Sequence, residues 1–421
     1  MHAEVISIGD ELTSGQRLDT NSQWLSTRLG EIGVRTLYHT TVADELEANV
    51  RVFETAIGRA DIIVATGGLG PTADDLTRDA IAAAANAPLQ LDEPTLRHIE
   101  GMFARRGRTM TENNRVQAMF PVGSRILFNP SGTAPGIDLE VPRSGRSAAR
   151  IFAVPGVPAE MREMWQATVE PAIRAMLGAP RVIRHRRIKC FGIGESELEA
   201  KLPDLIRRGR APSVGITVHG ATITLRITAE AESAASCAGA MEPTIDTIRQ
   251  CLGELVFGEE DDELEHAIVR LLRSQNKTLA TAEWGSGGMI AHWLSEAPDS
   301  RACYLGGMVL PNINAVHNLV EPAGRAAVSE SRPDPAGFMK LLVERMAAAC
   351  RELFGADYGL AVGELPSIDS KVTEPGKLWF AVASDRGTTA VSAPYLGHPD
   401  ILKARGGKQA LNLLRLTLMR S

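Results

Sequence analysis

The chain has 421 residues, of which 44 % are apolar and 23 % charged, and a formal net charge of −6. That length exceeds one ordinary core and predicts a soluble globular protein of two to four domains. The mild acidity argues against a dedicated nucleic-acid binder, whose affinity would rest on neutralising phosphates.

Five cysteines (Cys190, Cys237, Cys251, Cys303 and Cys350) stand singly, without a C-x-x-C pair. They fit reduced thiols in a cytoplasm better than a disulfide frame or a zinc site. No leader and no bilayer-length apolar run is expected, so a cytoplasmic protein without a membrane partner is the default.

In chain order, Glu4–Ile8 reads as a strand, Asn21–Glu31 as a helix and Val34–Val42 as β-rich. Leu46–Ile57 reads as a helix, Asp61–Thr66 as a short buried strand and Leu76–Ala85 as an alanine-rich helix. Strand and helix in alternation predict a parallel sheet covered on both faces. Further strands are expected at Arg125–Phe128 and Arg150–Val154 and a helix at Ala159–Met176, with the polar stretch Val141–Ala149 as a surface loop. The character changes at Gly178–Pro180. A small α+β unit follows: strand Arg184–Phe191, helix Glu195–Arg207, strands Ser213–His219 and Ala221–Ala229 about a hairpin turn at His219-Gly220, and helix Ala234–Leu252. The acids of Gly258–Glu263 fit a solvated linker into a helix at Leu264–Ser274. The last segment alternates strands Thr278–Ala282, Tyr358–Val362 and Leu378–Ala383 with helices Phe338–Phe354 and Gly407–Met419.

The run Thr66–Thr77, TGGLGPTADDLT, follows a strand and opens a helix. Gly67, Gly68 and Gly70 allow tight turns and close backbone approach, and a helix N-terminus attracts anions. Asp74 and Asp75, expected in the first helical turn, would hold a hard cation rather than phosphate itself. Taken alone the run is a glycine turn with an acidic cap. Asp10 and Glu11, just past the first strand, are by themselves loop solvation. In an open parallel sheet, however, ligands bind outside the carboxyl ends of the strands, where these groups would share one crevice. With the rigid loops Asn129–Gly136 and Val154–Pro158, they describe a site for a phosphorylated nucleotide-like ligand and a divalent cation.

In that order, GDELTSGQRLDTN, TGGLGPTADDLT, NPSGTAPG and VPGVPAEM resemble the N-terminal domain of the CinA (competence-damage-inducible protein) family across residues 3–175. The resemblance implies a molybdopterin-binding, three-layer α/β/α fold. It also implies cleavage of the pyrophosphate of ADP-ribose or a related nucleotide, with a divalent cation (Mg or similar) and potassium. By motif position, Asp10, Asp74 and Asp75 become the metal-binding or water-activating residues, Asp75 first, because its counterpart is the critical acid in related molybdopterin proteins. Gly67, Gly68 and Gly70, with Thr72, would cradle phosphates, and Asn129 and Gly132 would line the pocket. A homodimer is implied as well.

CFGIGESELEAKLPDLI and TITLRITA resemble the family's KH-like middle domain. The basic stretch Arg181–Lys189 invites a nucleic-acid reading. It lacks interleaved aromatics and a G-x-x-G clamp, so a packing or dimerisation module is expected instead.

Residues 264–421 resemble the family's C-terminal α/β domain, a nicotinamide-nucleotide amidase in working members. LATAE, Tyr304–Met308, AAVSE and FGADYGLAV carry the likeness. Working members read like A-E-S-C-T-G-G, then Y-S-N-E-A-K and a T-G-I-A-G-P loop. Here the serine, cysteine and threonine positions are Trp284, Gly285 and Ser286, the tyrosine position is Pro311 and the lysine position is Val316. The glycine-rich loop has become Val362–Asp369. Acyl transfer needs a nucleophile with a base in reach, and neither Pro311 nor Val316 moves a proton through its side chain. Ser286 stands two positions from the family serine and outside a G-x-S-x-G elbow; His292 and His317 are bases by type alone. Trp284 is expected to fill the old pocket, leaving the amidase silent.

The expected domains are 1–176, 181–257 and 263–421. Two rivals stay open: a cleft that binds a pterin or nucleotide without cleaving it, and a residual nicotinamide-nucleotide amidase.

Overall fold

A computed structural model describes residues 1–178, 181–320, 335–366 and 376–421. Ala179 and Pro180, the AAVSE run and Ser367, Ile368 and Asp369 of the third-segment loop lie outside the described residues. The chain divides into two compact units, one of residues 1–184 and 229–240, the other of residues 185–228 and 241–421.

A six-stranded sheet runs through the first unit in the order Arg35–Val42, His2–Ile8, Ile62–Thr66, Arg146–Val154, Gly136–Arg143, Arg125–Leu127. The first four strands are mutually parallel; Gly136–Arg143 runs antiparallel to Arg146–Val154, and Arg125–Leu127 antiparallel to Gly136–Arg143. The sheet is therefore mixed, not wholly parallel as the alternation predicts. The difference lies in Val141–Ala149, which is a hairpin and not a surface loop: Val141 pairs with Ala149. Both point into the core, while Pro142 and Ser147 between them are exposed. Period-two burial is the mark of a half-buried strand, and the polar outward residues disguise it.

The same alternation assigns the central strands to two cores. Val5, Val64 and Phe152 pack with Leu25, Leu29 and Trp165 on one face. Ile6, Ile63 and Ala153 pack with Phe53 and Ile81 on the other. Side chains of this size, fully buried, each contribute about 1.5–3 kcal/mol, which fixes the three-layer α/β/α arrangement. Ser7 is level with Thr66 and Thr66 with Val154. The loops after these three parallel strands therefore leave from one edge of the sheet.

In the second unit, a four-stranded sheet has the order Ser213–His219, Thr222–Ala231, Val182–Cys190, Val256–Glu259, its residues mostly within this unit. The hairpin turn falls one residue later than expected, on Gly220 and Ala221, both at positive φ. The expected helix Glu195–Arg207 stops at Lys201, because Pro203 disfavours helical geometry in the residue before it. Gly258 and Glu259 pair with Lys189 and Ile188 as the end of a strand, so the acidic linker is shorter than expected. Glu263 then caps the helix Leu264–Ser274.

A five-stranded sheet follows, in the order Tyr304–Val309, Leu279–Glu283, Tyr358–Val362, Lys377–Ser384, Gly387–Pro394. Leu279, Leu360 and Phe380 serve one core, and Ala280, Ala361 and Ala381 the other. Among the described residues, no helix is long and apolar enough to cross a membrane.

Candidate functional site

At the carboxyl edge of the first sheet lies a cleft of about 610 Å³, within the usual range for a small-molecule site. Its walls come from the loops after the three parallel strands (Ile8–Glu11, Gly67–Asp75 and Pro155–Pro158), with Asp44, Thr133 and Glu160.

The Gly67–Asp75 loop has a definite architecture. Gly67 has φ +106°, and a side chain there would run into the carbonyl of Ile8, so glycine brings the loop against the first strand's end. The Asp75 carboxylate accepts the Gly70 N–H at 2.8 Å, the Thr72 N–H at 2.8 Å and the Thr72 hydroxyl at 2.5 Å. A side chain on Gly70 would occupy the space of that carboxylate. The Thr77 hydroxyl donates to Gly67 O at 2.8 Å. Among the described residues, no hydrogen bond within the chain engages the N–H of Gly68 or Leu69, both in the cleft wall. The helix begins at Thr77, so Asp74 and Asp75 precede it rather than occupying its first turn.

Beneath the loop sits Arg78, which sequence reasoning missed. It is fully buried and donates to Leu69 O at 2.6 Å and Gly70 O at 3.4 Å. Burial pulls its pKa down to about 10, against the opposing pull of Asp75 and Asp79, and it is still a cation at neutral pH. The signal was faint: an arginine in an alanine-rich helix start ordinarily means a solvated face.

The other expected residues fall as follows. Asp74 and Thr72, both exposed, line the cleft with Gly67, Gly68, Gly70 and Asp75. Asp10 lies in an adjoining open hollow with Glu11 and Thr13. There it makes a reciprocal pair with Asp44: each carboxylate accepts the other's backbone N–H, at 2.9 and 3.1 Å. Asn129, buried, organises its own loop. Its oxygen accepts the N–H groups of Ser131 and Gly132, and its amide donates to Ala134 O and to Glu160 at 2.8 Å. Asn129 and Gly132 line a neighbouring hollow that shares Thr133 with the cleft.

Asp44, Glu160 and Arg17 are cleft residues that the motifs did not single out. Five carboxylates (Glu11, Asp44, Asp74, Asp75 and Glu160) face one guanidinium, that of Arg17, in the cleft wall. Burial raises Asp44 above the ordinary carboxylate range, and the charges of Asp10, Asp74 and Glu11 push the same way, against the Asp10 N–H bond. An anionic ligand entering such a wall needs a cation. Among the described residues, no three His, Cys, Asp or Glu side chains converge into a cage for a metal ion. The donor set fits instead a hard cation of the magnesium type, which takes one or two carboxylates and completes its shell with phosphate oxygens and water.

The turn after strand Leu279–Glu283 is built differently. Trp284 is 8 % exposed and packs in one apolar cluster with Leu310, Val316, Val343 and Met346. A side chain on Gly285 would meet the backbone and side chain of Leu365, so the turn lies tight against that loop. Ser286 is buried, and its hydroxyl donates to Glu283 at 2.6 Å. Glu283, also buried, accepts the N–H groups of Ile290 at 3.1 Å and Ala291 at 2.7 Å, anchoring the helix Met289–Glu296. Pro311 and His292 are exposed.

In the basic stretch, Arg181 pairs with Glu230, Arg186 with Glu259 and Glu260, Arg187 with Glu260 and Asp261, and Lys189 with Glu263.

Three family models match the chain in succession: a probable molybdopterin binding domain over residues 4–175, the KH domain of damage-inducible protein CinA over 185–258, and the CinA C-terminal domain over 261–418. A CinA-like protein of Gloeothece citriformis is 35 % identical, the match covering 92 % of this chain and 91 % of that protein. A putative competence-damage inducible protein of Symbiobacterium thermophilum is 35 % identical over 100 % of this chain and 99 % of that one. Among solved structures, a CinA protein of unknown function from Thermoplasma acidophilum matches 40 % of this chain and 96 % of its own, at 30 % identity and a TM-score of 0.37.

Proposed function

We propose, for a chain that belongs to the CinA family, that the first domain hydrolyses the pyrophosphate bond of ADP-ribose or a related nucleotide with a divalent cation, and that the third domain carries no amidase chemistry. The observation that supports the first half is the cleft itself: a glycine loop held from beneath by a buried cation, facing a wall of carboxylates. The N–H groups of Gly68 and Leu69, with Arg17, are suited to phosphate oxygens. Glu11, Asp44 and Asp74 are the carboxylates available to a magnesium-type ion, and Asp10 orients Asp44. Asp75 shapes the loop that presents them. When bound, the cation supplies charge neutralisation at the pyrophosphate and a more acidic attacking water. Water adds to one phosphorus, the bridging oxygen leaves with the other, and the products are AMP and ribose 5-phosphate.

Purified protein with ADP-ribose and Mg²⁺ is expected to release both products in equal amounts, with EDTA abolishing release and potassium tested against sodium. Asp74→Asn is expected to slow turnover on the order of a hundredfold. No turnover with Mg²⁺, Mn²⁺ or Co²⁺ would sink the hydrolase. A non-cleaving pterin or nucleotide binder is the second reading. It is favoured by the engagement of both Asp75 carboxylate oxygens by the loop's own donors, Gly70 and Thr72. Stabilisation by ligand without product would select it.

The silent third domain is supported by the shared burial of Trp284 and Val316 in one apolar cluster and by the commitment of Ser286 to Glu283. Nicotinamide mononucleotide should yield no ammonia. Ammonia release that disappears in Ser286→Ala would overturn this half.

A further inference from the structure

Beside the cleft, between helix Glu93–Arg105 and the loop that begins at Phe128, lies a second hollow of about 270 Å³. It is small for a ligand site standing alone and suited to one group of a larger ligand. Its lining is mostly apolar, from Pro94, Ile99, Ile126, Phe128 and Pro135, with the ring of His98 among them. Phe128 is 53 % exposed, and His98 meets it edge-on at 5.1 Å between centroids and 65° between planes. Large apolar side chains left this open to water next to a polar cleft mark a binding surface.

Two connections join the spaces. Thr133 lines both. Asn129, in the hollow, hydrogen-bonds Glu160 in the wall of the cleft. A ligand whose phosphates lie along the Gly67–Asp75 loop therefore has, at one end of its space, an aromatic edge with the hydroxyl-bearing residues Thr95 and Thr133 at the rim. We infer that this hollow is the subsite for the planar heterocyclic base of a phosphorylated ligand, packed against Phe128 and His98. The inference rests on the reading of the cleft as a phosphate site, and it names the part of the ligand that gives selectivity. Phosphate contacts serve any nucleotide, whereas the aromatic edge rewards only one that carries a flat ring. A purine and a pterin share that chemistry, so the test carries both.

The experiment is calorimetric titration of the full chain with Mg²⁺ present. The wild type, Phe128→Ala and His98→Ala are each titrated with the non-hydrolysable α,β-methylene analogue of ADP-ribose, neopterin monophosphate and inorganic pyrophosphate. Whichever heterocyclic probe the wild type holds more tightly identifies the source of the ring. Phe128→Ala is expected to weaken that probe about tenfold, the worth of one stacked base, and to leave pyrophosphate unchanged. His98→Ala should act in the same direction and serves as the second variant if Phe128→Ala melts early. Equal losses for all probes, or no loss for any, overturn the subsite. So does a change of sedimentation coefficient in Phe128→Ala, which would mean that another copy of the chain covers the hollow. Failure of the wild type to bind any probe is a different result: it overturns the phosphate reading of the cleft, and the subsite falls with it.

Discussion

Arg78 shows how much of the Gly67–Asp75 loop rests on a residue that does not line the cleft. Its guanidinium is fully buried, two of its nitrogens hold the carbonyls of Leu69 and Gly70, and its Nε has no partner. An ion taken out of water costs several kcal/mol, which here is offset by the two carbonyls and by the nearby charges of Asp75 and Asp79. Arg78→Ala leaves those carbonyls unpaired beside a void, and the expected loss is about 3–5 kcal/mol in chemical denaturation. Arg78→Lys keeps the charge but replaces a planar fork with a compact point, so it should recover part of the stability and less of the ADP-ribose affinity. Equal recovery of both would show that charge alone matters. Asp75→Asn probes the same loop from above. An amide offers one acceptor oxygen to the donors of Gly70 and Thr72, where the carboxylate offers two, so a loss of about 1–3 kcal/mol is expected in the same denaturation series. Neither effect was visible in the sequence. The TGGLGPTADDLT motif announces a glycine loop after a strand, but which of its residues line the cleft and which hold the loop is decided by three-dimensional hydrogen bonding.

At the scale of elements, the helix Met289–Glu296 is instructive because its cap lies outside it. Gly288 at its N-cap has no side chain to offer, and Glu283, at the end of the preceding strand, accepts the free N–H groups of Ile290 and Ala291. Glu283→Ala removes a buried carboxylate with three donors and is expected to cost about 2–4 kcal/mol. Ser286→Ala removes one of those donors and should cost about 1 kcal/mol. A larger loss from Ser286→Ala than from Glu283→Ala in thermal unfolding would contradict this capping role. The same strand–turn–helix was legible as architecture, since its glycines and the strand before them were plain. What single residues do in the turn was not, because a serine that serves a cap and a serine that attacks a substrate read alike. Elsewhere legibility failed for simpler reasons. The helix Glu93–Arg105, absent from the expected elements, carries an Asp92 cap and a proline in its first turn, signals enough to mark it. The tip of the hairpin, Val141–Ala149, was hidden because the residues between these two are mostly polar or exposed, and only Val141 and Ala149 turn inward.

At the scale of the whole molecule, the order of motifs was the strongest signal in the sequence. Four loops in fixed succession define the first domain, and the mixed α/β folds of the chain follow the strand and helix periodicities that surround them. The asymmetry between the two ends is physical as well as textual. At one end, glycines and carboxylates leave an open cleft; at the other, Trp284 and Val316 are packed in one apolar cluster. Ligand linkage turns this asymmetry into a measurement, because a ligand raises the stability only of the unit that binds it. A chain of two compact units is not expected to melt as one two-state transition. In a calorimetric scan with Mg²⁺, the non-hydrolysable α,β-methylene analogue of ADP-ribose at 100 times its dissociation constant should stabilise its unit by about 2.7 kcal/mol and move one transition upward. Nicotinamide mononucleotide at the same concentration should move neither. If the buried turn still forms an amidase pocket, the second transition will rise with that ligand instead. If the cleft is not a nucleotide site, the analogue will leave both transitions where they were.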